Sequence, residues 1–421
     1  MKAVTLATKT IKSKTSEPTW LQEIRADALK QYNELQYPNF RYGLTIRVDY
    51  SDLDVENIQN NLNNLTTEVP TFKNPAGLMK EGLIILPLKK ALQSHENLIK
   101  PHLTKLIQHN HKFAQLHKAF FNGTFIHVPK NKKITKPLII NNNHNNNNHN
   151  STQINHLFIV AESPITIIET RESAKRDNST TKSNTTKLKN VQQQFTKQPF
   201  TSNATEIVVK NNATVNYISI QKYDNSTFNF DYKNAITEQN ATINWIDFCL
   251  GSTFTHSTIT STLKGTGSKS TIKTVFFGDN NQRFDTGAQI INAAEHTQGN
   301  IATKGVLTDS AKNIYRGLIK IEQNAASSSG YQKEDVLMLS KDAEADSIPQ
   351  LEIDNNDVKC SHAATTTHVD DERLFYLMAR GLNKKSATKM FVQGFLDPFI
   401  EEINEPIIIE QIKKHIEERI K

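Results

Sequence analysis

The chain has little cysteine. There are two in 421 residues, Cys249 and Cys360, and no C-x-x-C spacing anywhere. That excludes a disulfide framework and a self-contained thiolate metal site, and it suits a reducing, cytoplasmic setting. Long apolar runs are missing as well. No stretch approaches 18 consecutive apolar residues, so no membrane-spanning helix is expected. The N-terminus, MKAVTLATKTIKSKTSEP, is basic and hydroxyl-rich but lacks an apolar core, so it is not a secretory signal. An organellar transit segment is the less favoured alternative to a cytoplasmic protein. Apolar residues make up only 37%, partly because Asn- and Thr-rich tracts dilute the average. Charge of one sign is not concentrated either. The net charge is +7, but the lysines are spread along the chain and read as solvated surface rather than a nucleic-acid face. A phosphate loop is absent too. Gly265-Thr266-Gly267-Ser268-Lys269-Ser270 comes near, but Ser268 stands where glycine must precede the lysine. It reads as a turn between strands, so the chain is not expected to be an ATPase.

What is present is a change of texture along the chain. Residues 1–118 read as a mainly helical region. Trp20 to Leu35 carries apolar residues at helical spacing, and Leu88 to Ala119 does the same with a break at Pro101. From Gly123 the chain becomes rich in Thr, Ile, Val and Asn, which is strand composition. This core, residues 119–367, contains a repeat. Asn212-Ala213-Thr214-Val215-Asn216-Tyr217-Ile218-Ser219-Ile220 recurs 28 residues later as Asn240-Ala241-Thr242-Ile243-Asn244-Trp245-Ile246-Asp247-Phe248. A third copy, Ser270 to Phe277, follows at an offset of 29. Strand-plus-turn units at a fixed period predict a solenoid in which each coil buries its apolar face on the next. The expected fold is mainly β, a right-handed parallel β-helix core flanked by helical regions; a plain antiparallel sandwich is the alternative. Two polar loop insertions are expected near 141–151 and 171–190. The first, NNNHNNNNHN, has two histidines but reads as a loop rather than a metal site. Residues 368–421 turn helical again. Asp370 is a candidate N-cap with Val369 and Leu374 as a staple, and Gly381 stops that helix. A second helix is expected from Asn383 or Ser386 to Phe395, ahead of Pro398, and a last one from Pro406.

The chemistry-bearing residues are few. Cys249 ends an apolar strand and reads as a small buried hydrophobe. Cys360 and His362 lie two apart in extended chain, so thiol and imidazole project to one face. As a nucleophile–base pair they lack an orienting third group. As ligands they suit iron or zinc, but two donors do not close a site that needs four. At this level a functional and a structural role stand equal. Glu295, His296 and His368 are weaker candidates for the same neighbourhood.

Three runs carry a family likeness: Ala345 to Ile353, Asp357 to Thr365 with its Cys-Ser-His, and Leu374 to Gly381. Lys304-Gly305-Val306-Leu307, Tyr315 to Ile319, Tyr331-Gln332-Lys333 and Ala119 to Lys130 fit as well. Together they resemble the SufB/SufD family of iron–sulfur cluster assembly proteins, on the SufD side, over most of the chain. The resemblance implies a β-helix between helical ends and a non-enzymatic scaffold. It implies a complex with SufB through the β-helix and with the ATPase SufC through the C-terminal helices, at Leu374, Phe375, Tyr376, Arg380 and Gly381. Iron or a nascent cluster, shared with SufB, would be held by His362 with Cys360 beside it; a flavin is not among the expected cofactors. Protonation of the imidazole in mild acid would lower activity. A SufB-like homodimer and a β-helix enzyme remain the other readings, although glycan chemistry calls for clustered carboxylates.

Overall fold

The computed structural model describes residues 17–35, 70–105, 107, 111–144, 152–173, 199–369 and 371–420. The strands, in chain order, are β1 (Thr71–Lys73), β2 (Ile84–Pro87), β3 (Asn122–Val128), β4 (Leu138–His144), β5 (Thr152–Ala161), β6 (Ile165–Ser173), β7 (Phe200–Val209), β8 (Thr214–Lys222), β9 (Phe228–Thr237), β10 (Thr242–Cys249), β11 (Phe254–Leu263), β12 (Lys269–Gly278), β13 (Arg283–Asn292), β14 (Gln298–Leu307), β15 (Lys312–Ile321), β16 (Ser328–Met338), β17 (Glu344–Ile353) and β18 (Val358–His368). The helices are α1 (Thr19–Glu34), α2 (Pro75–Lys80), α3 (Leu88–Ser94), α4 (Glu96–Ile99), α5 (Lys112–Phe120), α6 (Asp371–Ala379), α7 (Lys384–Ile400) and α8 (Pro406–Arg419).

Among the described residues the strands form two nine-stranded sheets. One runs β1-β4-β6-β8-β10-β12-β14-β16-β18, the other β2-β3-β5-β7-β9-β11-β13-β15-β17. From β3 onward successive strands alternate between sheets, and each pairs in parallel with the strand two further on. This is a parallel β-solenoid, as the repeat predicts. The first two copies pair at their sequence offset, Asn216 beside Asn244 and Tyr217 beside Trp245. The third does not: Ile243 lies beside Ser270 and Trp245 beside Ile272, an offset of 27 rather than 29. The corner turns set this register. Asn212, Asn240, Gly267, His296 and Ser327 all have positive φ, and each donates its N–H to a carbonyl in the next corner, as Asn240 does to Thr266 and Gly267 to Glu295. Both offsets are odd, so Ile272 faces inward under either.

Three apolar clusters hold the coils. Inward-facing residues such as Ile159, Ile207, Tyr217, Trp245 and Ile319 fill the lumen. The outer face of the β5–β11 sheet is covered by α3 and α5 through Leu88, Leu92 and Phe113. The outer face of the other sheet is covered by α7 and α8 through Val392, Leu396, Ile412 and Ile416. With both faces covered, β9 is buried along its whole length. At one end β2 and β1 pair antiparallel with β3 and β4. At the other end the sheets finish on β17 and β18, and most of β18 is exposed.

Several expectations need correction. The Asn-rich tract is not all loop: Asn141 to His144 belong to β4, and Asn142 is buried, its amide facing Glu169 at 3.4 Å. Residues 145–151 lie outside the described residues. The second loop does not begin at Arg171, which lies within β6 and is buried; residues 174–198 are outside the described set. The helix expected to stop at Phe395 runs to Ile400 with Pro398 inside it. The backbone bond lost there falls in the last turn, which Phe399 and Ile400 anchor by burial. The helical N-terminal region also contributes β1 and β2. Asp370 is outside the described residues.

Candidate functional site

Strand β18 hydrogen-bonds on one side only, to β16. The register sets Cys360 beside Gly330, His362 beside Gln332 and Ala364 beside Glu334. Gly330, Gln332 and Glu334 are buried while Tyr331 between them is exposed. Alternation therefore points Cys360, His362 and Ala364 into the mouth of the solenoid. The expected pairing of thiol and imidazole on one face is what the strand delivers. Cys360 is half-buried, over Gly330, where an added Cβ would lie 3.1 Å from its Sγ. Burial pushes its thiol up, with the Ser361 N–H pulling the other way. The thiol must therefore lose a proton when it takes a metal. His362 is exposed, and its ring is open to whatever covers the mouth. Among the described residues no three His, Cys, Asp or Glu side chains gather as a metal site. The pair is thus a two-donor arrangement with its remaining positions open.

The weaker candidates are not brought to it. His296 and Glu295 sit in a corner turn two coils below, where His296 supplies a left-handed backbone position. His368 is at the far end of β18, about 20 Å along the strand. Cys249 is buried as expected, but beside a charge: its thiol donates to Asp247 Oδ2 at 3.5 Å, and burial and that carboxylate push it well up. The near-phosphate loop leads directly into strand β12 at Lys269, so no helix N-terminus follows it.

A polar column that the sequence reading missed runs along the lumen. In register it is Glu169, Ser219, Asp247, Thr274, Thr303 and Glu334. Opposite it, Asp231 and Lys233 project from β9. Arg171 bridges Glu169 and Asp231, and Lys233 bridges Asp231 and Asp247, the latter at 3.1 Å. The repeat held a signal for this. Ser219 and Asp247 occupy matching places, in phase with the inward Tyr217 and Trp245.

Glu334 ends the column without a cation. Burial raises its carboxyl to about 7, the Ser347 hydroxyl opposing and Asp335 adding. A carboxyl raised in the folded state costs nothing below its unfolded pKa of about 4.5, and its cost grows as pH climbs through the window to 7. In metal-free buffer Glu334→Gln is therefore expected to match the parent at pH 4.5 and exceed it by about 3 kcal/mol at pH 8. Urea unfolding at the two pH values measures this; equal stability at pH 8 would refute it.

At the C-terminus, Leu374 is buried and anchors α6, so it is not available to a partner. Phe375 is 71% exposed and Tyr376 56%. Arg380 lies over the Tyr376 ring at 4.4 Å. Gly381, at φ +97°, ends the helix as expected. The helices are tied to the solenoid by Arg419, which pairs with Asp279 at 2.7 Å and covers the Phe277 ring. Among the described residues no helix is long and apolar enough to cross a membrane.

Residues 141–395 match the family model described as SUF system FeS cluster assembly, SufBD core domain. A Bacillus subtilis protein named iron–sulfur cluster assembly protein SufD is 28% identical over 98% of this chain and 97% of its own. Iron–sulfur cluster assembly SufBD family proteins of Staphylococcus saprophyticus and Staphylococcus epidermidis are 26% and 27% identical, each over 92% of this chain and 86% of the relative.

Proposed function

Because the chain belongs to the SufBD family of iron–sulfur cluster assembly proteins, we propose that it is a scaffold subunit of SufD type, cytoplasmic and without chemistry of its own. In this reading a SufB partner covers the open mouth. His362 offers a neutral ring nitrogen and Cys360 a thiol to iron or the nascent cluster, and the partner completes the ligand set. The ATPase SufC docks on the exposed aromatic face of α6, and its hydrolysis of ATP moves the two scaffolds so that the site opens and closes. The observation that carries the reading is the placement of Cys360 and His362 on the terminal edge strand, both turned into the mouth of the solenoid. An edge with free backbone groups invites another chain, and a two-donor site invites its ligands.

Anaerobic reconstitution with iron and sulfide tests this. The chain alone should bind no cluster, and a mixture with SufB and SufC should show cluster absorbance. In that mixture Phe375→Glu should release the ATPase while SufB stays bound. A cluster on the lone chain would favour a SufB-like homodimer, and no cluster in the mixture would sink both.

A further inference from the structure

One coil below His362 lies a cluster of buried oxygens. Among the described residues, both carboxylate oxygens of Glu334 are buried without a hydrogen-bond partner, as are Gln332 Oε1, Thr303 Oγ1, Tyr315 Oη and Ser347 Oγ. Glu334 and Gln332 are only 2% and 1% exposed. The register gathers these groups: Thr303 is beside Glu334 on β14 and β16, and Tyr315 is beside Ser347 on β15 and β17. Gln332 and Tyr315 both pack against Gly317, which has no side chain to keep them apart. A Cβ there would lie 2.1 Å from Gln332 Oε1 and 2.7 Å from the Tyr315 hydroxyl oxygen. The charge of Glu334 reaches Tyr315, whose phenol is pushed up chiefly by burial, with the Thr303 hydroxyl opposing and that carboxylate adding. Ser347 is near enough to favour the Glu334 anion but too poorly aligned to make a proper bond. Lys333, the adjacent cation, points outward and pairs with Asp335 at 2.9 Å.

A buried carboxylate must be protonated, paired or bound to a metal. Among the described residues no Lys or Arg pairs with Glu334, whereas Asp231 and Asp247 deeper in the lumen are answered by Arg171 and Lys233. One carboxylate, one amide carbonyl and three hydroxyls make an all-oxygen set, which suits a divalent cation that keeps some of its waters. Above Glu334 the next residue in register is Ala364, which carries only a methyl group.

We propose that this oxygen cluster binds a divalent cation through the Glu334 carboxylate and the Gln332 carbonyl oxygen, holding ferrous iron one coil below His362. The assignment of iron rests on the proposed function; the cation site itself does not. Binding exchanges the Glu334 proton for the cation. The test uses Mn2+, read by its electron paramagnetic resonance, titrated into the purified full-length chain. A single saturable site is expected. Glu334→Gln, which keeps side-chain shape and is checked by circular dichroism, should weaken it roughly tenfold or more. The Cys360→Ala/His362→Ala double variant should bind as the parent does. Unchanged affinity in Glu334→Gln, or no saturable binding by the parent, would overturn the site. Loss of Mn2+ in the double variant would move the cation to the mouth and overturn it too. None of these results depends on whether His362 serves cluster assembly.

Discussion

Replacing Lys233 by methionine is expected to cost about 3–5 kcal/mol, enough to leave the chain largely unfolded. Methionine fills nearly the same volume, so packing is preserved and the loss is electrostatic. Lys233 has no solvent exposure and touches both Asp231 and Asp247. Burial alone would push the ammonium down, but these two carboxylates more than reverse that and hold it raised. Without it Asp231 still has Arg171, whereas Asp247 keeps only neutral donors, the hydroxyls of Ser219 and Ser257 and the Cys249 thiol. A buried carboxylate without a cation is the expensive state, dearer than having no charges at all. The double variant Lys233→Met/Asp247→Asn should therefore recover much of the stability, since the neutral amide can accept from one of those hydroxyls and donate to the other. Denaturant unfolding of the parent, the single and the double variant decides it. A single-variant cost below about 1 kcal/mol, in the range of an exposed pair, would show that the network carries little.

The solenoid was legible because each coil repeats the same physical task. Ile243 and Trp245 must face the lumen in one coil as Val215 and Tyr217 do in the coil before, so the pattern recurs at coil length. The offset of the third coil was not legible. It depends on which corner residue takes positive φ, and Asn, Gly, His and Ser all do so here. The Cys360–His362 pair was legible from strand alternation alone, since i and i+2 share a face. The buried charges were not. Arg171 looked like the start of a polar loop, and its partner Asp231 lies 60 residues away. Only stacking brings them together. Glu334 was hidden for the same reason: the groups around it come from four different strands. Phe375 and Tyr376 were expected at a partner surface and are exposed, whereas Leu374, grouped with them, turned inward because one face of α6 must pack on its own protein.

His362→Ala is expected to reduce cluster formation by about tenfold or more. The ring is exposed at the mouth and is not among the core side chains, so its removal should leave folding and partner binding unchanged. That separation makes it the most direct measurement of the central claim. Parent and variant complexes, each containing SufB and SufC and matched for subunit content, are reconstituted anaerobically with iron, sulfide and ATP, and cluster absorbance is followed. The account predicts an intact complex with little cluster. Parental cluster yield in the intact variant complex would contradict it.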